Sequence, residues 1–254
     1  MLEVRGVTRR FGDFTAIEDT NLSVREGEFL TIVGASGCGK TTLLRLIAGL
    51  DRDYAGDIEL SGERIVGTSL DRGIVFQEPR LLPWLTLWDN IAIALDNAPL
   101  AAAAKKEAIA AQIALVGLAG FEQAYPAALS GGMAQRAAIA RALVGHPSIL
   151  LLDEPLGALD AITRMRLQEE LLRIWRHERV SMILVTHDVE EAVFLSRNIV
   201  VMDSHPGHVT ANVVVDLPFP RDRSSAEFGA IKRQVFDALH DNAAVKPPEI
   251  EYLI

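Results

Sequence analysis

The stretch GASGCGKT, Gly34 to Thr41, sets glycines where a backbone must turn tightly, then follows them with a lysine and a hydroxyl. That pattern is a phosphate cradle. Backbone N–H groups from Ala35 to Thr42, through Ser36, Gly37, Cys38 and Gly39, would surround the phosphates. Lys40 would reach the β- and γ-phosphates, and the Thr41 hydroxyl would ligate Mg²⁺. A glycine-rich turn with an unrelated lysine is the plainer alternative. The flanking residues weigh against it: an apolar strand candidate, Phe29 to Val33, runs in, and a helix carrying Leu43, Leu44, Ile47 and Ala48 runs out. Cys38 sits beside a lysine and a helix start, both of which lower a thiol's pKa. The expectation is a thiol that reagents modify and bound nucleotide protects; a buried, inert thiol is the alternative.

Further groups stand where other apolar runs end. ILLLDEP places Asp153 and Glu154 at a strand end, and ends of parallel strands face the ligand crevice. Asp153 there would hold Mg²⁺ through its water shell, and Glu154 would orient and polarise an attacking water. MILVTHD puts His187 in a similar place, within reach of a γ-phosphate or the water, and IVFQEP gives Gln77, whose amide oxygen could touch Mg²⁺. Singly, each has an ordinary explanation: a capping turn, a structural histidine, a surface glutamine. Their common position is what points to phosphoryl transfer. LSGGMAQR adds Ser130, Gly131 and Gly132 at a helix start, a second place that attracts anions.

The elements that must carry these groups follow from patterning. FLTIVG, ILLLDEP, MILVTHD and NIVVMD suit parallel strands covered on both faces, so an α/β core is expected. LEVRGV, LSVREG and GDIELSGERI alternate instead, as an antiparallel layer with one solvated face does. Residues from about 80 to 130 are rich in Ala, Leu and Gln and read as an inserted helical lobe. Toward the end come a strand candidate, NVVVDL, the breaker-rich PFPRDRSS and an amphipathic helix from Ala226 to Leu239. The 254 residues suffice for one large domain, and 49% hydrophobic with 23% charged residues is the profile of a folded protein. A formal net charge of −9 argues against a surface built to grip nucleic acid. The single cysteine excludes an internal disulfide and suits a reducing compartment. The first residues are charged from the third on, and no run approaches the roughly 20 apolar residues of a membrane span, so neither a leader nor a transmembrane helix is expected.

In their order, GASGCGKT, the Gln77 loop, LSGGM, ILLLDE, GALD with Asp160, and His187 resemble the ATP-binding cassette subunits of ABC transporters across nearly the whole chain. The resemblance implies a P-loop NTPase core, about residues 1–79 and 147–215, that includes an N-terminal antiparallel β layer. A helical signature subdomain, about 80–146, would be inserted into it, and a short C-terminal extension, about 216–254, would complete a single domain. It implies ATP and Mg²⁺ as ligands, with two copies pairing head to tail so that Ser130, Gly131 and Gly132 of one face the γ-phosphate held by the other. A capped helix without ligand is the alternative for that segment. Asp160 joins the nucleotide site by the same resemblance, and Phe11 falls where the family stacks a ring on adenine, unless it is a core residue of the β layer. Met133 stands where many members have Gln.

The motif wording, with HPGHV, is most similar to the nitrate/sulfonate/taurine importer group. That similarity implies transmembrane permease subunits, a substrate-binding protein, no nucleic-acid partner, and a place on the cytoplasmic face of a bacterial inner membrane. Leu82, Trp84 and Leu85 would anchor the permease or else pack within the helical lobe. A non-transport ATPase of the same family, acting on nucleic acid or ribosomes, is the rival; it is disfavoured by the acidic balance and by the lack of a coiled-coil insertion, zinc cysteines or a second cassette.

Overall fold

The computed structural model describes residues 1–204 and 206–240. His205 of HPGHV and residues 241–254 of the expected extension lie outside the described residues.

The alternating N-terminal segments form a four-stranded antiparallel sheet. β1 (Leu2–Phe11) pairs with β2 (Phe14–Val24) on one side and β4 (Ala55–Leu60) on the other, and β5 (Glu63–Arg64) closes a hairpin with β4. The continuous apolar runs form a second sheet. Its parallel strands are β3 (Phe29–Gly34), β6 (Arg72–Val75), β7 (Ile149–Asp153), β8 (Ser181–Thr186) and β9 (Asn198–Asp203). β10 (His208–Val214) adds antiparallel to β9, and the order is β10-β9-β3-β8-β7-β6.

Successive side chains of a strand point to opposite faces, and both faces of this sheet are apolar. Phe29, Val33, Leu150, Leu152, Met182 and Leu184 enter one core; Leu30, Ile32, Ile149, Leu151, Ile183 and Val185 enter the other. The second core is closed by the antiparallel layer and by α1 (Lys40–Ile47), which buries Leu43, Leu44, Leu46 and Ile47. The first is closed by α5 (Ala161–Glu178), α6 (Val189–Leu195), α7 (Ala226–His240) and a group of helices lying between β6 and β7 in sequence.

That group comprises α2 (Leu87–Ala92), α3 (Ala102–Leu115) and α4 (Gly131–Leu143), with α2 packed on both others. Thr86 caps α2 by accepting from the Asp89 N–H. Buried Asn90 fixes the approach to the helix: its amide donates to the carbonyls of Leu82, Leu85 and Thr86, and its oxygen accepts from the Leu82 N–H. Leu82 and Leu85 are half-buried there, whereas Trp84 is 70% exposed, so Trp84 is not packed inside the lobe.

Arg221 anchors the segment before α7. Its buried guanidinium donates to the carbonyls of Val193, Phe194, Ser196 and Val215, taking up acceptors that the end of α6 leaves free. No helix among the described residues is long and apolar enough to cross a membrane.

Candidate active site

The expected phosphate loop leaves the end of β3 and enters α1. Lys40 is buried, and its ammonium donates to the carbonyls of Gly34 (2.8 Å) and Ala35 (2.9 Å), which holds the loop curled around it. Ser36, Gly37, Gly39, Lys40, Thr41 and Thr42 line a cleft of about 260 Å³, together with Phe11 and Glu154. Phe11 is 47% exposed on that cleft, which removes the core reading of this ring; the Arg9 guanidinium stacks 4.2 Å from its centroid. Phe14 lines the same cleft from the start of β2, and patterning alone did not find it.

Cys38 departs from the reactive-thiol expectation. It has no exposed surface, and burial pushes its thiol up despite Lys40, whose nitrogen lies 3.8 Å from the sulfur. Desolvating a thiolate costs more here than one lysine, itself engaged by carbonyls, returns. What the loop presents at this position is backbone.

Thr41 and Asp153 meet at the mouth of the cleft, the hydroxyl donating to the carboxylate at 2.9 Å. Burial raises the Asp153 carboxyl, with Glu154 adding repulsion and the Thr41 hydrogen bond opposing both. Glu154 follows at once with φ of 46°, in the left-handed region that costs a non-glycine residue about 1–3 kcal/mol. Its N–H is tied to the Val185 carbonyl on β8 (2.9 Å), and its carboxylate lies 3.2 Å from Nδ1 of His187, the residue after β8. Gln77 follows β6, and its amide nitrogen and the Glu154 carboxylate both face Gly157: a Cβ added there would stand 3.3 Å and 3.8 Å from them. Four strand ends therefore deliver Lys40 and Thr41, Gln77, Asp153 with Glu154, and His187 to one place.

Four expected members stand elsewhere. Ser130 caps α4, its hydroxyl accepting from the Met133 N–H, and with Gly132 it lines a separate cleft shared with Arg136 and Thr163. Gly132 is required by packing: a Cβ would come within 2.7 Å of the Thr163 methyl on α5. Gly131 lies beside it, opposite Leu159. Asp160 caps α5 by accepting from the N–H groups of Ile162 and Thr163, and the Thr163 hydroxyl, with those N–H groups, holds its carboxyl below the usual range.

The separate cleft is nonetheless tied to the Gln77 loop. Buried Gln135 on α4 donates to the Phe76 carbonyl (3.1 Å), and Arg141, three turns along α4, donates to those of Pro79 and Arg80 (2.9 Å each). Sequence reading missed both residues; a polar side chain inside a helix's buried face is the only signal, and it does not name its acceptor. Gly207 makes another tie. Its N–H donates to Ala16, its carbonyl accepts from Glu18, and a Cβ would come within 2.2 Å of the Cys38 carbonyl, so β2, the phosphate loop and the start of β10 meet at this glycine.

A glycine-rich loop between the central strand and the first helix, with an acidic pair at the end of a nearby parallel strand, makes the class that of a P-loop nucleoside triphosphatase. The antiparallel layer and the helices between β6 and β7 narrow the class further, and the comparisons agree. The ABC transporter family model matches residues 17–157, and the chain belongs to that family as an ATP-binding, ATP-hydrolysing cassette.

Among curated relatives, it is 50% identical over 221 residues to the aliphatic sulfonates import ATP-binding protein SsuB of Bacillus licheniformis, covering 87% of this chain and 86% of that protein. The protein of the same name from Bacillus subtilis is 45% identical over 238 residues, covering 94% of this chain and 90% of that one. Among solved structures, the dimeric post-hydrolysis state of the ATP-binding cassette MJ0796 bound to ADP and Pi matches with a TM-score of 0.73 at 28% identity. It covers 86% of this chain and 100% of that one.

Proposed function

We propose that this chain is the ATPase subunit of an importer for aliphatic sulfonates, working as a head-to-tail pair against transmembrane permease subunits that a substrate-binding protein serves. The observation that carries the chemistry is the convergence of Thr41 on Asp153 and of His187 on Glu154 at the mouth of one cleft. The cargo class comes from the relatives named for sulfonate import. In this reading the residues from about 80 to 146 are the signature subdomain, and the pair sits on the cytoplasmic face of the membrane.

The donors suit Mg²⁺. Thr41 and Asp153 supply hard oxygens 2.9 Å apart, Gln77 brings an amide to the same mouth, and Mg²⁺ takes few protein ligands because it keeps much of its water. Thr41, Asp153 and Gln77 would hold the ion, which when bound would neutralise charge on the phosphate oxygens. Lys40 exchanges its loop carbonyls for the β- and γ-phosphates, and the N–H groups from Ala35 to Thr42 bind their oxygens. Phe11 stacks on the adenine.

Glu154 orients a water for attack on the γ-phosphorus; the bond to the bridging oxygen breaks, leaving ADP and phosphate. His187 fixes the Glu154 carboxylate through its Nδ1. Ser130, Gly131 and Gly132 of a second copy close over the γ-phosphate, so ATP favours the closed pair by its better binding there, and its loss reopens it.

Glu154→Gln tests the reading. The variant keeps ATP affinity, loses at least about 100-fold in turnover, and elutes as a dimer with ATP in size-exclusion chromatography. Turnover near that of the unmodified chain overturns the assignment of Glu154. Purification of the chain from its native membranes, followed by mass spectrometry, tests the transport part: recovery of a multi-span permease is expected, and recovery of ribosomal or DNA-bound proteins alone overturns it.

A further inference from the structure

A cavity of about 550 Å³ opens between α5 and the segment that precedes α7, and it shares no lining residue with the ATP cleft. Its volume lies in the range that holds a small organic ligand. Four arginines line it, Arg173, Arg176, Arg221 and Arg223, over an apolar floor of Leu172, Phe194 and Pro220. Glu169 and Asp222 also line it, both exposed, which leaves the arginines in excess.

The arginines differ in what already satisfies them. Arg173 is paired with Glu170 and Arg223 with Glu190. Arg221 is already engaged by the four carbonyls of Val193, Phe194, Ser196 and Val215, its buried Nε alone lacking an acceptor, whereas Arg176 has no carboxylate partner among the described residues. Both guanidiniums lean on one ring, Arg176 at 4.8 Å and Arg221 at 4.2 Å from the Phe219 centroid. Two cations sharing a ring repel each other, and an anion held by Arg176 would relieve that repulsion. The Arg221 pKa, pushed down to about 10 by burial and then by Arg197 and Arg176, has the same origin.

We propose that this cavity binds a small organic anion, its oxyanion head held by Arg176 beside Arg173 and its short aliphatic tail laid over Leu172, Phe194 and Pro220. Guanidinium forks match the paired oxygens of a sulfonate or carboxylate, and the floor gives the tail a surface that inorganic anions do not use. The inference stands apart from the importer reading, because the site is formed by one copy of the chain and shares no lining residue with the cleft where ATP binds.

The test is isothermal titration of the full chain, saturated with a non-hydrolysable ATP analogue, with 1-hexanesulfonate. One-to-one binding is expected, with inorganic sulfate and 1-hexanol each at least about ten-fold weaker. Arg176→Gln should weaken binding about ten-fold or more, Arg176→Lys should recover only part of it because a point charge lacks the paired donors, and basal ATP hydrolysis should be unchanged in both. No binding at millimolar hexanesulfonate overturns the proposal. So does equal affinity in Arg176→Gln, or binding that the ATP analogue abolishes, which would place the ligand in the nucleotide cleft.

Discussion

At the scale of single residues, the positions of Asp153, Glu154 and His187 could be read from where apolar runs stop, because a parallel strand buried on both faces announces its own end. The geometry between them could not. Nothing in the local sequence says that Thr41 reaches Asp153, 112 positions away, at 2.9 Å. Cys38 marks the opposite failure: its neighbours suggested a low pKa, and the packing of α1 under the second core overrode them. Maleimide labelling followed by mass spectrometry should therefore be at least about ten-fold slower in the folded chain than in denaturant, with or without ATP. Gly132 offers a sharper check. Gly132→Ala should cost roughly 1–3 kcal/mol in chemical denaturation, since its new methyl meets that of Thr163. Adding Thr163→Ser, which removes the opposing methyl and keeps the hydroxyl, should recover most of the loss.

At the scale of elements, periodicity found the two kinds of strand and the C-terminal helix, which spans Ala226–His240 among the described residues. It could not find the ties between elements, because side-chain hydrogen bonds to distant carbonyls leave no period. Arg141 is the clearest case. Burial lowers its pKa, so its charge is held at a cost, and its two hydrogen bonds fix the backbone at Pro79 and Arg80. Arg141→Met should destabilise the fold by about 1.5–3 kcal/mol, the range for losing a hydrogen bond made by a charged group. Hydrogen exchange should rise first in the amides of 76–80, before those of β7 and β8. Uniform acceleration across the sheet would mean that Arg141 supports the fold as a whole and not this loop.

At the scale of the whole molecule, one sheet serves two cores, so every strand of it contributes alternate residues to a helical side and to a β side. Composition and patterning anticipated both sides; which helices would close each was not legible, since helices rich in Ala and Leu carry no address. The junction at Gly207 is where the β side meets the phosphate loop. Gly207→Ala should lower stability by roughly 1–3 kcal/mol and weaken ATP binding in the same variant, because β2 and the Cys38 carbonyl must both give way. Calorimetry with and without ATP separates the two losses. Reduced stability with unchanged ATP affinity would confine the glycine to a structural part.

The left-handed backbone at Glu154 bears on how such a chain can be improved. Glycine favours that conformation, so Glu154→Gly should fold more stably by about 1 kcal/mol while abolishing hydrolysis. Any search that ranks variants by thermal tolerance alone would accept that change early, and a library enriched for heat resistance would fill with inert cassettes. Selection for turnover is what keeps a carboxylate where the backbone prefers none.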